Sequence, residues 1–453
     1  MDLMDLLDPH PKVMEREIVD LLIRDCAAIP MDELGRVLER VDIAINGDRI
    51  VALGQDLPCV GRQTLDGRDH VALPGLVNAH MHECLTRGLC EDRELSRWLA
   101  EICFPLDAAY TPEDMRLAAA MNQLEMIRSG TTTFIDIYRH PAAAAAITVQ
   151  SGLRGIFSPQ VIDEPAGVGE SLADTEALIQ AWHGRGSGRV HIWVGLHAPY
   201  SCHPRSFTQG SELAQKYGVG LHTHLAETRW EVETLQARYG LTPVQCLERW
   251  GCLTSRTLAA HCVHLQPEEI DLLKAKGVRI AHNPSSNMKL ASGIPPVLQW
   301  LWRGIPVGLG TDSILSNNNL DLFEEMRLAV FLQRLGSGDG AALPAQQALW
   351  MATRGSAACL GLEQEIGSLE EGKKADVILL GWRAPHLWPR LQGSLNNLIA
   401  QVVYSAQGSD VATTICDGQI LMHNRQVLTL PQEELRQQVG SQAADLCRRA
   451  GLG

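Results

Sequence analysis

The chain has 453 residues, 45% of them hydrophobic, enough for a large domain and a smaller one. A net charge of −14 argues against nucleic acid or an anionic membrane as a partner, and no apolar run approaches the length of a membrane span. The twelve cysteines are scattered without a CxxC pair, the pattern of reduced thiols, so a cytoplasmic location is expected.

The first residues, MDLMDLLDPHPKVMERE, are acidic and lack a signal-peptide core. Residues 18–70 then give strand–turn–strand signals, with Asn46-Gly47-Asp48 as the turn. Eight β-rich runs follow, at 71–82, 131–138, 155–163, 190–199, 219–228, 258–265, 278–284 and 306–313. Helical patterns lie between them, most clearly at 112–129, 171–183, 243–250, 267–276 and 320–335. Several open on Pro or a Ser/Asp cap and stop at Gly130, Gly152, Gly251, Gly277 or Gly304.

Eight alternating units argue for an α/β fold, a (β/α)8 TIM-like barrel. A doubly wound open sheet is the competing reading, weakened by the lack of a GxGxxG turn. Residues 375–430 repeat the strand–turn–strand style around Asp417-Gly418, so both chain ends are expected to build one small β-sandwich domain. The tail 432–449 reads as a helix. The expected division is 1–70 for the N-terminal part of the small domain and 71–368 for the barrel. Residues 369–453 supply the rest of the small domain and the terminal helix. The stretch 83–111 is long for a connection, and a loop of that length suits a lid or substrate wall.

The C-terminal strand ends of such a barrel form its active face. The first run ends in His80-Met81-His82, whose i and i+2 side chains share one face. His197 ends the fourth run. The fifth carries His222 and His224, followed by Glu227. His261 lies on the sixth, His282 ends the seventh, and Asp312 lies in GLGTDS on the eighth. Imidazole and carboxylate groups converging on one ring suit a divalent metal, which lowers the pKa of a water bound at an open position. A carboxylate must then take the water's proton, and a second acid must protonate the ring nitrogen and leaving amine. Asp312 suits the first task and Glu227 the second, with His261 orienting or shuttling protons. The fourth run, VHIWVGLHAPY, carries no lysine to become a bridging carbamate, so one metal ion is expected rather than two. His222 lies one layer deeper than His224 and reads as a supporting or core residue. His264 and Cys262 read as structural. His282 is left between pocket and packing, and Glu83 has no assigned role.

Seven stretches carry a resemblance to the amidohydrolase superfamily, within its chlorohydrolase/aminohydrolase branch. They are LPGLVNAHMH, HAPYSCHP, HTHLAET, AAHCVHL, AHNPSSNMKLASGIPPV, GLGTDSILSNNNLDLFEEMRLA and IGSLEEGKKADVILL. Within that branch, EDRELSRWL, HLAET, NMKLASGI and TDSILSNNNLDLFEEMR are most similar to the 5′-methylthioadenosine/S-adenosylhomocysteine deaminases. The resemblance implies His80, His82, His224 and Asp312 as ligands of one divalent metal, zinc by likeness, with iron or manganese compatible with the same donors. It implies Glu227, His261 and Asp312 as the catalytic groups. For substrate it implies His197 against the ring, Trp98 packed on it, and Asp107 at the ribose hydroxyls. Two departures stand out. Asp107 replaces a longer Glu, and Pro159-Gln160 stand where relatives carry an arginine for a substrate carboxylate.

The implied activity is hydrolytic deamination of an adenosine-type nucleoside, with a small-molecule partner and a homo-oligomer expected. The departures keep a second reading open, an s-triazine, pterin or guanine-type heterocycle. A non-catalytic binding barrel is disfavoured, because the full set of ligand and proton-transfer residues is present.

Overall fold

The computed structural model describes residues 17–33, 35–89 and 92–452. The acidic leader 1–16 lies outside the described residues. Both chain ends build one nine-stranded sheet. Glu17–Ala28 pairs antiparallel with Leu38–Asn46 and parallel with Cys59–Asp66 and His70–Pro74. His70–Pro74 then pairs antiparallel with Val377–Gly381, which leads through Val411–Cys416 to Gln419–His423. Alternating residues of these strands (Leu21, Ile23, Ile43, Ile45, Val377, Leu379, Ile415) form one buried cluster, as period-two patterning requires.

The run 71–82, expected as one strand, is two strands in two sheets. His70–Pro74 belongs to the terminal sheet and Leu76–His82 to a parallel one. The break is at Gly75, where a Cβ would lie 2.2 Å from Thr132 Oγ1. Only glycine lets the backbone cross there.

The remaining strands form two parallel sheets. One orders Val190–Ile192, Arg154–Phe157, Thr131–Asp136, Leu76–His82 and Asp312–Ser313. The other orders Val307–Leu309, Arg279–His282, Thr257–His261, Leu221–Leu225, Val194–Leu196 and Gln160–Val161. The third, fourth and eighth expected strands are therefore each broken in two, with one piece in each sheet. Most of these strands are buried on both faces, which explains their unbroken apolar character.

The helices follow their capping signals. Pro112–Ser129 opens on a Thr111–Asp114 capping box and stops at Gly130, φ 85°. Ser171 caps Leu172–Trp182 in the same way. The tail helix Gln432–Arg449 packs on Pro112–Ser129, where Arg449 Nη2 lies 2.8 Å from both Asp114 oxygens. The segment 83–111 differs from the expected loop. Leu95–Ala109 winds as consecutive helical turns, the middle ones wide, and buries Leu95, Trp98, Leu99, Ile102 and Leu106. That periodicity packs one face inward, which an open loop cannot do.

Arg154 joins the two parts of the molecule. Its guanidinium, buried on a parallel-sheet strand, reaches Asp376 Oδ2 at 2.5 Å and also bonds Asp417, both in the C-terminal half of the terminal sheet. No described helix is long and apolar enough to cross a membrane.

Candidate active site

Strand ends from both parallel sheets deliver the histidines and Asp312 to one buried point. His82 Nε2 lies 3.2 Å and His80 Nε2 3.6 Å from Asp312 Oδ1. His224 Nε2 lies 3.2 Å from His82 Nε2. His261 Nε2 sits between two carboxylates, 3.8 Å from Asp312 Oδ2 and 3.9 Å from Glu227 Oε2. His261 and Asp312 both adopt left-handed backbone, φ 71° and 60°, at the turns that aim them inward.

The far ring nitrogens fix the near ones. His82 Nδ1 bonds the Ile137 carbonyl at 2.6 Å, and His224 Nδ1 bonds the His197 carbonyl at 2.6 Å. A carbonyl only accepts, so both Nδ1 atoms carry protons, and in the neutral form each ring turns an Nε2 lone pair inward. Two lone pairs held 3.2 Å apart in a buried site call for a cation between them. His80 Nε2 is also buried without a hydrogen-bond partner, while its Nδ1 meets His222 Nε2 at 2.8 Å. His80, His82 and Asp312 form one group with metal-binding spacing, and His80, His224 and His261 form another. The donor set fits a divalent cation that accepts nitrogen and oxygen.

Protonation follows from burial. It pushes His80 down to about 4 and His197 down to about 3, and holds His224 and His222 well below the usual range, so these rings are neutral. Burial alone would raise Asp312, but the nearby His80 and His82 rings outweigh it and hold the carboxyl well below the ordinary range. Burial raises Glu227, only partly offset by His261.

A pocket of about 580 Å³, part of it open to solvent, reaches this point. Trp98, Asp107, His197 and Gln160 line it with Glu227, His261 and Asp312. Asp107 is buried and accepts a 2.6 Å hydrogen bond from Tyr138 Oη, and burial lifts its carboxyl to about 6. All the site residues expected from the sequence therefore meet at one cavity or its metal-spaced floor. His282 does not line the pocket; it is fully buried, its ring 6.4 Å from that of Trp300. Cys262 is buried in the core.

Other residues gain roles only in the fold. Ser286 Oγ donates to Asp312 Oδ2 at 2.6 Å, Ser292 Oγ to Glu227 Oε1 at 3.2 Å, and Ser201 Oγ pairs with His197 Nδ1 at 2.7 Å. Glu231 accepts the Ala226 and Glu227 backbone N–H groups and so fixes the turn that presents Glu227. Glu83, which had no role, is buried beside Asp136, whose Oδ1 accepts its N–H; burial raises both carboxyls. Sequence offered one usable signal, Glu231 in the acidic first turn of the helix that follows Glu227.

Over residues 71–421 the chain matches the amidohydrolase family. It belongs to that family. This family member is 46% identical over 426 residues to a Moorella thermoacetica protein named 5-methylthioadenosine/S-adenosylhomocysteine deaminase, covering 92% of this chain and 98% of that one. A Caldanaerobacter subterraneus protein of the same name is 42% identical, with 95% and 99% covered. Among solved structures, an adenosine deaminase from Xanthomonas campestris with bound zinc superposes with a TM-score of 0.90 at 30% identity, over 95% of this chain and 99% of that one. An Arthrobacter aurescens atrazine chlorohydrolase complexed with zinc gives 0.83 at 28%, over 93% and 99%. The family resemblance read from the motifs holds, and as a member of this family the chain is a hydrolase.

Proposed function

We propose that this amidohydrolase-family member is a metal-dependent hydrolytic deaminase of adenosine-type nucleosides. Water replaces the exocyclic amine and ammonia leaves. The observation that carries the reading is the pair of carboxyls flanking His261 Nε2, one held well below the ordinary carboxylate range and the other raised by burial. The names of its relatives, 5-methylthioadenosine/S-adenosylhomocysteine deaminase, support the substrate class.

In this reading His80, His82, His224 and Asp312 hold one divalent cation, zinc by analogy with the zinc-bound neighbours. When bound, the cation supplies Lewis-acid activation of water. Asp312 Oδ2 takes the proton of the attacking water and is oriented by Ser286 Oγ. Glu227 delivers a proton to the ring nitrogen, a role that the upward shift of its buried carboxyl favours. His261, bonded through Nδ1 to Asn287 Oδ1 at 2.9 Å, orients the water and relays protons. Asp107 accepts from ribose hydroxyls, His197 bonds the base, and Trp98 packs over it.

We also read the two parallel sheets as one closed (β/α)8 ring, bridged by the three broken strands. The terminal sheet is read as a small β-sandwich around the Leu21–Ile43–Val377 cluster. The division 1–70, 71–368 and 369–453 is proposed on that basis, with the first boundary moved to Gly75, because His70–Pro74 pairs within the terminal sheet. A homo-oligomer in the cytoplasm is the expected setting.

The test is ammonia release by zinc-loaded protein from adenosine, 5′-methylthioadenosine, guanine and an aminated s-triazine. Release from the adenine nucleosides is expected. Release only from the triazine or guanine would replace the reading with the second heterocycle class.

A further inference from the structure

The two substrates in the relatives' names differ at the 5′ position. One carries a small neutral thioether and the other a zwitterionic amino acid with a carboxylate. The pocket here is matched to only one of these chemistries. Among the described residues that line it, none is Arg or Lys, whereas Asp107, Glu227 and Asp312 are all carboxylic. Its other walls include Leu95, Leu99 and Leu315, each less than a tenth exposed.

Cations do lie close by, but each is engaged elsewhere. Arg139, behind Asp107, donates to the Asp107 carbonyl at 3.1 Å and pairs with Glu170 at 3.1 Å. Lys289 donates to the Leu315 carbonyl at 2.9 Å and to Asn318. Gln160, which does line the pocket, offers a neutral amide and turns it toward Asp107 at 3.4 Å. A carboxylate brought into such a cavity loses its hydration without gaining a cation.

Resting on the adenosine-type reading above, we propose that this pocket selects nucleosides with an uncharged 5′ substituent and rejects those ending in a carboxylate. Charge, rather than length, makes the selection. The neutral thioether class represented by 5′-methylthioadenosine is the substrate, and S-adenosylhomocysteine is not.

The test separates charge from size with an isosteric pair. Zinc-loaded wild-type protein is given 5′-methylthioadenosine, S-adenosylhomocysteine, 5′-(2-carboxyethylthio)-5′-deoxyadenosine and the primary amide of that acid, at pH 7. The expected result is a kcat/KM for the amide at least about 100-fold above that of the matching acid, with S-adenosylhomocysteine as poor as the acid. Equal kcat/KM for acid and amide overturns the proposal, because the charge then lies in solvent or finds a cation. Deamination of S-adenosylhomocysteine as fast as of 5′-methylthioadenosine overturns it too. If no adenine nucleoside releases ammonia while another heterocycle does, the nucleoside reading itself has failed.

Discussion

The Nε2 atoms of His82 and His224 face one another at 3.2 Å, and each ring is held in place by a backbone carbonyl at its other nitrogen. That arrangement presents two nitrogen donors to one divalent cation. Purified protein is expected to contain one divalent metal per chain by elemental analysis. Stripping it with a chelator abolishes ammonia release, and adding zinc restores it. Zinc at about 100 times its dissociation constant raises unfolding stability by about 2.7 kcal/mol. H82A and H224A lose the metal and that zinc-dependent stabilisation together.

Glu227 offers a cleaner separation of binding from chemistry. E227Q keeps the side chain's shape and its Ser292 contact but has no proton to give. Its kcat is expected to fall by about 100- to 10,000-fold with metal content unchanged. A variant that lost metal in parallel with activity would assign Glu227 to the ligand set instead.

The crossing at Gly75 predicts a steric cost. In G75A the new methyl group meets Thr132 Oγ1, and the loss is expected to be about 1–3 kcal/mol by urea denaturation. Removing Thr132 Oγ1 and Cγ2 in G75A/T132A recovers part of it, which a purely entropic effect would not allow.

The tail helix gives a pH-dependent prediction. Burial alone would raise the Asp114 carboxyl, but hydrogen bonds from Thr111, Gln442 and Arg449 hold it below its ordinary 3.8. A folded pKa below the unfolded value contributes stability that is present above the unfolded pKa and lost as pH falls through the folded one. The stability gap between wild type and D114N should therefore be full above pH 4 and shrink on acidification. Limited proteolysis should release the 432–452 tail more readily from D114N or R449A than from wild type at neutral pH.

Much of the site was legible because its chemistry needs rare residue types at fixed places. His80, His82, His224 and Asp312 stand at run ends where apolar β-sequence stops. The helix at Pro112–Ser129 was legible from Pro, its acidic first turn and Gly130. The break at Gly75 was not, because residues on both sides are buried and apolar and no periodicity changes there. The turns over Leu95–Ala109 were hidden because their widened middle shifts the helical repeat. Ser201, Ser286, Ser292 and Asn287 could not be singled out. Small polar residues are common throughout a chain, and only the three-dimensional path brings Ser201 to His197 and the other three to the catalytic groups.

Arg154 has one more consequence. Its guanidinium is held by Asp376 and Asp417, more than two hundred residues further along the chain. A graft of another protein's terminal strands lacking both acids would strand a positive charge in a dry interior. The two regions are therefore a poor choice for modular exchange, and thermal melting followed by separate reporters in each should give one shared transition.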